Sequence, residues 1–293
     1  MRVRVLGSAA GGGFPQWNCR CEVCEVARAG VRARPRTQSS IAIRSGDGPW
    51  FLVNASPDLG QQLATLDSPD TGGVRTAPVA GVLVTDAEID HTAGLLLLRE
   101  AAAPVRVFGV AGIERALTEG FPVLPMLAHF CGAEWQTLEP GRTQPLDSTL
   151  SVEPFPAGGD APRYLTGVEL EASGLVFSDS GAVVTYVPGL ARWDDDVVAR
   201  VAASDLVLVD GTFWRDDELP RLGISQRRAQ DMGHVPLSGP GGTLAVLAGL
   251  ARPRKVLVHI NNTNPILLED SAERAEVVRA GVEVAYDGLE VDL

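Results

Sequence analysis

A chain of 293 residues with 45% hydrophobic side chains is long enough to bury a large core. Its formal charge of -12 and a pI near 4.8 exclude the basic stripe that phosphate binding requires, so nucleic acid is not an expected partner. No apolar run reaches the roughly 18 residues that span a bilayer, and the opening "MRVRVLG" alternates like a strand rather than a secretory leader; membrane insertion is therefore not expected, and a cytoplasmic location is.

In chain order, the first half is dominated by short β-like runs: "RVRVLG", "SSIAIRS", "WFLVNAS", "VAGVLVT" at 79–85 and "VRVFG" at 105–109. Helical patterns separate some of them, "PDLGQQLATL" after Ser56 and Thr92 to Ala101 being the clearest. The second half repeats the alternation with "LSVEPFPA", a hairpin turning at Asp179 to Gly181, "DLVLVD", "KVLVHI" and "VEVAYDG". Asp194 to Asp196 read as the solvated start of a helix, favoured by its dipole. The last helix is expected to be capped by Asp270 with Glu273 and ended by Gly281. Two similar strand-rich halves with interspersed helices predict an α/β protein, a four-layer αββα sandwich. "GGGFPQ", "SPDTGGVRTAP" and "SGPGG" are short and read as loops rather than linkers, so residues 1–293 are expected to form a single domain.

"TDAEIDHTAG", Thr85 to Gly94, places Asp86, Glu88, Asp90 and His91 between a buried strand and a helix. His259 ends another strand. Two strand-end imidazoles and one carboxylate are the set that holds non-haem Fe(II) on one face with other positions open, and they would also hold zinc with an open fourth position. An aspartate before a helix also serves as a cap, and a strand-end histidine also simply hydrogen-bonds; spacing alone leaves both readings open.

Thr85 to His91 resembles the metal loop of the metallo-β-lactamase superfamily, Thr-His-x-His-x-Asp-His, and "KVLVHINN" resembles the strand that carries its final histidine. The resemblance implies the αββα fold. The departures are informative. Asp86 and Glu88 replace the two early histidines, Ala157, Gly158 and Gly159 stand where the middle histidine belongs, and Pro188 and Gly189 follow "VTYV" where the bridging aspartate belongs. An ordinary dizinc hydrolase is thereby disfavoured. The resemblance implies an active-site iron on Asp90, His91 and His259, with Asp86 and Glu88 as candidate ligands of a second, harder ion.

Longer blocks, "LGSAAGGGFPQWNCRCEVC", "NASPDL", "DGTFWRDDE", "MGHVPLSGPGG" and "HINNTNPIL" among them, resemble the branch of this superfamily that serves pyrroloquinoline quinone (PQQ) biosynthesis. That resemblance implies a non-haem iron hydroxylase, an oxidoreductase that uses O2 on the tyrosine ring of a cross-linked Glu-Tyr diamino acid. The alternatives are a carrier for PQQ or its precursor without turnover, and a metal-dependent hydrolase. Arginines near the mouth would grip substrate carboxylates; Arg34, Arg36, Arg163 and Arg215 are loose candidates. Oligomeric state stays open, a homo-oligomer included.

Cys19, Cys21 and Cys24, three of four cysteines, fall in a C-x-C-x2-C pattern that suits a structural zinc and would strain a disulfide. Related phosphonate-degrading phosphodiesterases complete such a cluster with a histidine three residues after the last catalytic ligand, a slot held here by Asn262. Cys131, His234 or solvent are the alternatives for the fourth ligand. By resemblance to tRNA-processing members, His234 would face the metal and shuttle protons. His129 is assigned to packing or substrate contact. Asp210 would line the strand-end crevice or cap a turn. "GSAAGGGFP" lacks the ending of a phosphate loop and reads as a segment needing positive φ or close backbone approach.

Overall fold

A computed structural model describes residues 1–67 and 74–293, so the loop expected at 68–78 lies partly outside the described residues. Among the described residues, fourteen strands make two seven-stranded sheets. The first contains β1 (Arg2–Gly7), β2 (Ser40–Arg44), β3 (Trp50–Val53), β4 (Val79–Leu83), β5 (Val105–Gly109) and β6 (Ala133–Thr137) in spatial order. The second contains β7 (Gln144–Pro145), β8 (Ser151–Gly158), β9 (Ala172–Ser178), β10 (Val183–Val187), β11 (Leu206–Asp210), β12 (Arg254–Val258) and β13 (Glu283–Val284). The final strand, β14 (Glu290–Asp292), returns to the first sheet and pairs antiparallel with β1.

Each sheet is antiparallel on one side and parallel on the other. β3 to β6 run parallel in the first sheet, and β10 to β13 in the second. Parallel strands end on a common edge, and open α/β sheets place their chemistry beyond those ends. Asp86 to His91, Asp210 and His259 all follow such ends.

Val3, Ile41, Phe51 and Phe108 of the first sheet meet Val152, Phe177, Leu208 and Val256 of the second in the central core. Helices cover both outer faces. On the first sheet lie α2 (Leu59–Leu63), α3 (Ile89–Thr92), α4 (Ala111–Arg115) and α5 (Val123–Leu127). α1 (Glu22–Arg28), α6 (Asp195–Ala203), α8 (Thr243–Ala248) and α9 (Ala272–Arg279) pack on the second, and the short α7 (Glu218–Arg221) follows β11. With both faces covered, β3 and β11 are buried throughout, which explains their continuous apolar runs. The αββα expectation is met. Among the described residues no helix is long and apolar enough to cross a membrane.

The hairpin turns as expected, with Asp179 Oδ1 accepting from the Gly181 and Ala182 amides at 2.9 Å each. Asp194 caps α6 through the Val197 amide. Two local expectations fail. The α9 cap is Ser271, whose Oγ accepts from the Arg274 amide at 3.0 Å, because Asp270 is drawn into an ion pair with Arg32. The helix expected from Thr92 to Ala101 is a 3-10 segment, Ala93–Glu100. There the Gly94 amide donates to Ala55 O beyond β3, at 2.9 Å, and leaves the α-helical ladder.

Gly94 matters because the backbone beyond β3 passes against it. A Cβ there would lie 2.0 Å from Ser56 O, and Ala55 in turn donates to His91 O at 2.7 Å. Gly94→Ala is expected to cost about 1–3 kcal/mol in urea unfolding, the range for forced overpacking, with the His91 loop displaced. Wild-type stability in that variant would remove the backbone contact as the constraint on this loop.

Candidate metal centre

The sequence after β4 is fixed at both ends. Asn54 Oδ1 accepts from the Thr85 amide at 3.0 Å, and the Thr85 hydroxyl lies 2.9 Å from Asp86 Oδ2. Asp86 then receives His91 Nδ1 at 2.7 and 2.9 Å on its two oxygens and the Glu88 amide at 2.9 Å. With Nδ1 donating, His91 presents the lone pair of Nε2. That nitrogen is buried and has no hydrogen-bond partner among the described residues.

His259 follows β12 in the left-handed region, at φ 55°. Its Nδ1 lies 2.8 Å from Thr212 Oγ1, which donates to Asp210 Oδ1 at 2.5 Å, so the imidazole is the donor to threonine and Nε2 again faces away. His234 repeats the device: its Nδ1 donates to Asp210 Oδ2 at 2.7 Å, and its ring stacks on His259 with centroids 5.5 Å apart. Asp90 completes the group, its Oδ2 3.6 Å from His259 Nε2 and 3.8 Å from His91 Nε2. Donor atoms of Asp90, His91 and His259 all fall within 4.8 Å of one another.

A cation fits these residues. Buried polar atoms are nearly always satisfied, and the bare His91 Nε2 faces a carboxylate too distant to hydrogen-bond. Burial alone would depress the His91 imidazolium, but the charges of Asp86 and Asp90 outweigh it and raise its pKa to about 9. Burial would raise Asp90, yet His91 and His259 hold it well below the carboxylate range. These opposed shifts show a buried anionic pocket that attracts positive charge.

The group forms the floor of a cavity of about 500 Å³. Gly158, Gly159 and Gly189, at the slots vacated relative to the dizinc pattern, line it together with Tyr164, Phe213 and Asn261. Gly11 packs over Asp90, where a Cβ would sit 3.0 Å from Oδ2; the Gly-rich segment is the close-approach loop its composition implied.

Several expected roles are corrected. Asp86 and Glu88 both line the cavity, but Asp86 has both oxygens engaged in orienting His91, and neither residue falls in a three-donor group among the described residues. Arg163 lines the cavity, but Arg34 and Arg215 pair with Glu269 and Asp217 and Arg36 donates to Ala285 O, none of them at the cavity. His129 is exposed beyond α5 and takes no part in the cavity.

A second donor cluster gathers Cys19, Cys21 and Cys24, whose sulfurs also fall within 4.8 Å and form no disulfide. Burial raises the Cys21 thiol, which a cation would reverse. Neither protein candidate for the fourth ligand reaches the cluster. Cys131 lies in the helical layer of the first sheet, with Sγ against Gly132 O and Leu98 O, and His234 is committed to Asp210. Asn262 occupies the slot: its carbonyl oxygen lies 3.8 and 3.7 Å from the Cys21 and Cys24 sulfurs, and its amide donates to Cys24 Sγ at 3.3 Å.

A family model described as a β-lactamase superfamily domain matches residues 49–260. The chain is 49% identical to coenzyme PQQ synthesis protein B of Cupriavidus necator, covering 99% of each, and 45% identical to that of Methylococcus capsulatus, covering all of both. The crystal structure of Zn(2+)-bound PqqB from Methylobacterium extorquens superposes with a TM-score of 0.91 at 41% identity, over the whole of both chains. The chain belongs to the PqqB family of the metallo-β-lactamase superfamily.

Within that family fold, Asp210 is the residue whose importance sequence reasoning left undecided. The sequence signal was its place at the polar end of "LVLVD"; the structure pairs it in register with Val258, the residue before His259. Burial would lower the His234 pKa, but the charge and hydrogen bond of Asp210 raise it above the ordinary imidazole value of 6.5. Stability from this pair is thus complete below that value and is lost as pH climbs through the folded pKa. In metal-free protein, Asp210→Asn should move the His234 midpoint down toward 6.5 in an NMR titration. An unchanged midpoint would mean that another group supplies the field.

Proposed function

We propose that this chain acts in PQQ biosynthesis as an iron-dependent hydroxylase of the tyrosine ring of the cross-linked Glu-Tyr precursor, with O2 as co-substrate and an external two-electron reductant, so that one oxygen atom enters the ring and the other leaves as water. The observation that carries the reading is the buried, unpartnered Nε2 of His91 grouped with His259 and Asp90 at the floor of a cavity. Two imidazoles and one carboxylate suit Fe(II) with positions left open. Fe(II), when bound by Asp90, His91 and His259, supplies the redox capacity that lets O2 react with an aromatic ring.

The chain's own residues do the rest. Asp86 and Thr212 fix the two imidazoles, so their Nε2 atoms meet the site without reorganisation. His234, charged or neutral according to Asp210, stands beside His259 and can take a proton from a substrate hydroxyl and return it. Tyr164, Ile89 and Phe213 offer apolar surface for a ring. Cys19, Cys21 and Cys24 hold a structural zinc that secures the loop after His259, a role supported by the contacts of Asn262. The cytoplasm is the proposed compartment, since a reducing environment keeps three closely spaced cysteines out of disulfides and available to a metal.

Anaerobic loading with Fe(II), addition of the diamino acid and a two-electron reductant such as ascorbate, then O2, and mass spectrometry of the product test this. A product heavier by oxygen is expected, and unchanged bound precursor or a cleaved product would replace the reading with carrier or hydrolase. In metal analysis, His91→Ala should lose iron and keep zinc, while Cys21→Ala should lose zinc. Retention of iron by the first variant would sink the assignment of the site.

A further inference from the structure

In a chain with 37 acidic residues against 25 basic ones, surface arginines readily find carboxylates: Arg228 pairs with Asp216, and Arg32 with Asp270. Arg163 and Arg227 line the cavity and make no ion pair among the described residues, although Glu88, Asp160 and Glu171 line the same cavity. We propose that these two arginines are the carboxylate clamp of the site, each taking one carboxylate of a single ligand.

This rests on the reading of the cavity given above and assigns its recognition chemistry. The two guanidinium groups come from segments tied to different donor loops. Arg163 sits next to Tyr164, whose hydroxyl donates to Ala87 O at 2.5 Å, inside the Asp86–His91 loop. Arg227 is held by its own side chain donating to Asp231 O and by its amide donating to Ser225 Oγ, and His234 follows within the same turn, its amide donating to Ala229 O. A guanidinium carries five N–H donors; one of Arg227 is used and none of Arg163 is engaged among the described residues.

The floor beneath them is acidic, with Asp86 buried and Asp90 nearly so in the lining and Asp210 buried behind His234. A polyanion would be repelled from such a floor unless cations met it at the rim, and planar guanidinium groups meet carboxylates in two-point fashion. The acidic side chains on the same lining suit ammonium groups, so the ligand is a zwitterion with at least two carboxylates. A cavity of about 500 Å³ accommodates two linked amino acids more fully than one.

Isothermal titration of zinc- and iron-loaded protein without O2 tests the clamp, with the cross-linked Glu-Tyr diamino acid and its trimethyl ester as probes. Wild type should bind the free acid at least tenfold more tightly than the ester. Arg163→Gln and Arg227→Gln should each weaken the free acid about tenfold or more and leave the ester unaffected, and the double variant should bind acid and ester alike. Metal content and melting temperature should not change, since neither arginine belongs to a donor set. Free acid bound equally by wild type and the double variant overturns the clamp while leaving the site's function standing. Failure of folded, metal-loaded wild type to bind either probe overturns the functional reading itself, and the clamp with it.

Discussion

The site depends on how each imidazole is held at Nδ1. Asp86 takes His91, Thr212 takes His259, and Asp210 takes His234, which fixes both tautomer and ring orientation and leaves every Nε2 for the cavity. Asp210 serves two of the three, directly through His234 and through the Thr212 hydroxyl for His259. It is almost wholly buried, a position that would normally favour the neutral acid. The charge and hydrogen bond of His234, the charge of His259 and the Thr212 hydroxyl together outweigh burial, so its pKa is lowered. A carboxylate so fully engaged has no oxygen left to bind a metal, although it lies within reach of one.

The same economy appears in the loop after β12. His259 adopts a backbone conformation that a side-chain-bearing residue seldom takes, and such strain persists only where the surroundings over-determine it. Here they do. Asn264 donates to Gly211 O and Thr212 O, Thr263 donates to Glu218, and Asn262 meets the cysteine sulfurs. Glu218, pushed up to about 7 by burial, accepts from the Trp214 amide and so joins the segment after β11 to the same loop. The cysteine cluster is therefore a brace for the histidine, placed where the chain returns from nearly its full length away.

Fold and donor triad were legible for one reason: strand ends are marked by the switch from apolar runs to polar residues, and parallel strands bring those ends together. "VAGVLVT" followed by Asp90 and His91, and "KVLV" followed by His259, carry that information locally. The role of Asp86 was not legible, because a carboxylate four residues before Asp90 looks the same whether it faces a cation or the back of a ring; only the fold of the loop decides. The α9 cap failed for a similar reason. Asp270 and Ser271 are both good caps by type, and the choice was made by Arg32, distant in sequence. That Arg163 and Arg227 make no ion pair among the described residues is likewise a property of three-dimensional neighbours and has no trace in composition.

What this chain lacks relative to the dizinc pattern also shapes the site. Replacing ligand side chains by Gly158, Gly159 and Gly189 removes nitrogen and oxygen donors from one half of the crevice and leaves open volume beside the other. A Cβ on Gly189 would come within 3.9 Å of His234 Cε1, so even a small side chain there would begin to fill the space next to the proton-handling ring. Under the proposed reading, glycine at these slots does two things at once: it withholds the side-chain donors of a second cation that would help polarise an ester or amide, and it leaves room for an aromatic ring against His234 and the triad. With an acidic floor, the proposed recognition of an anionic substrate moves outward to the rim, where Arg163 and Arg227 stand without an ion pair among the described residues.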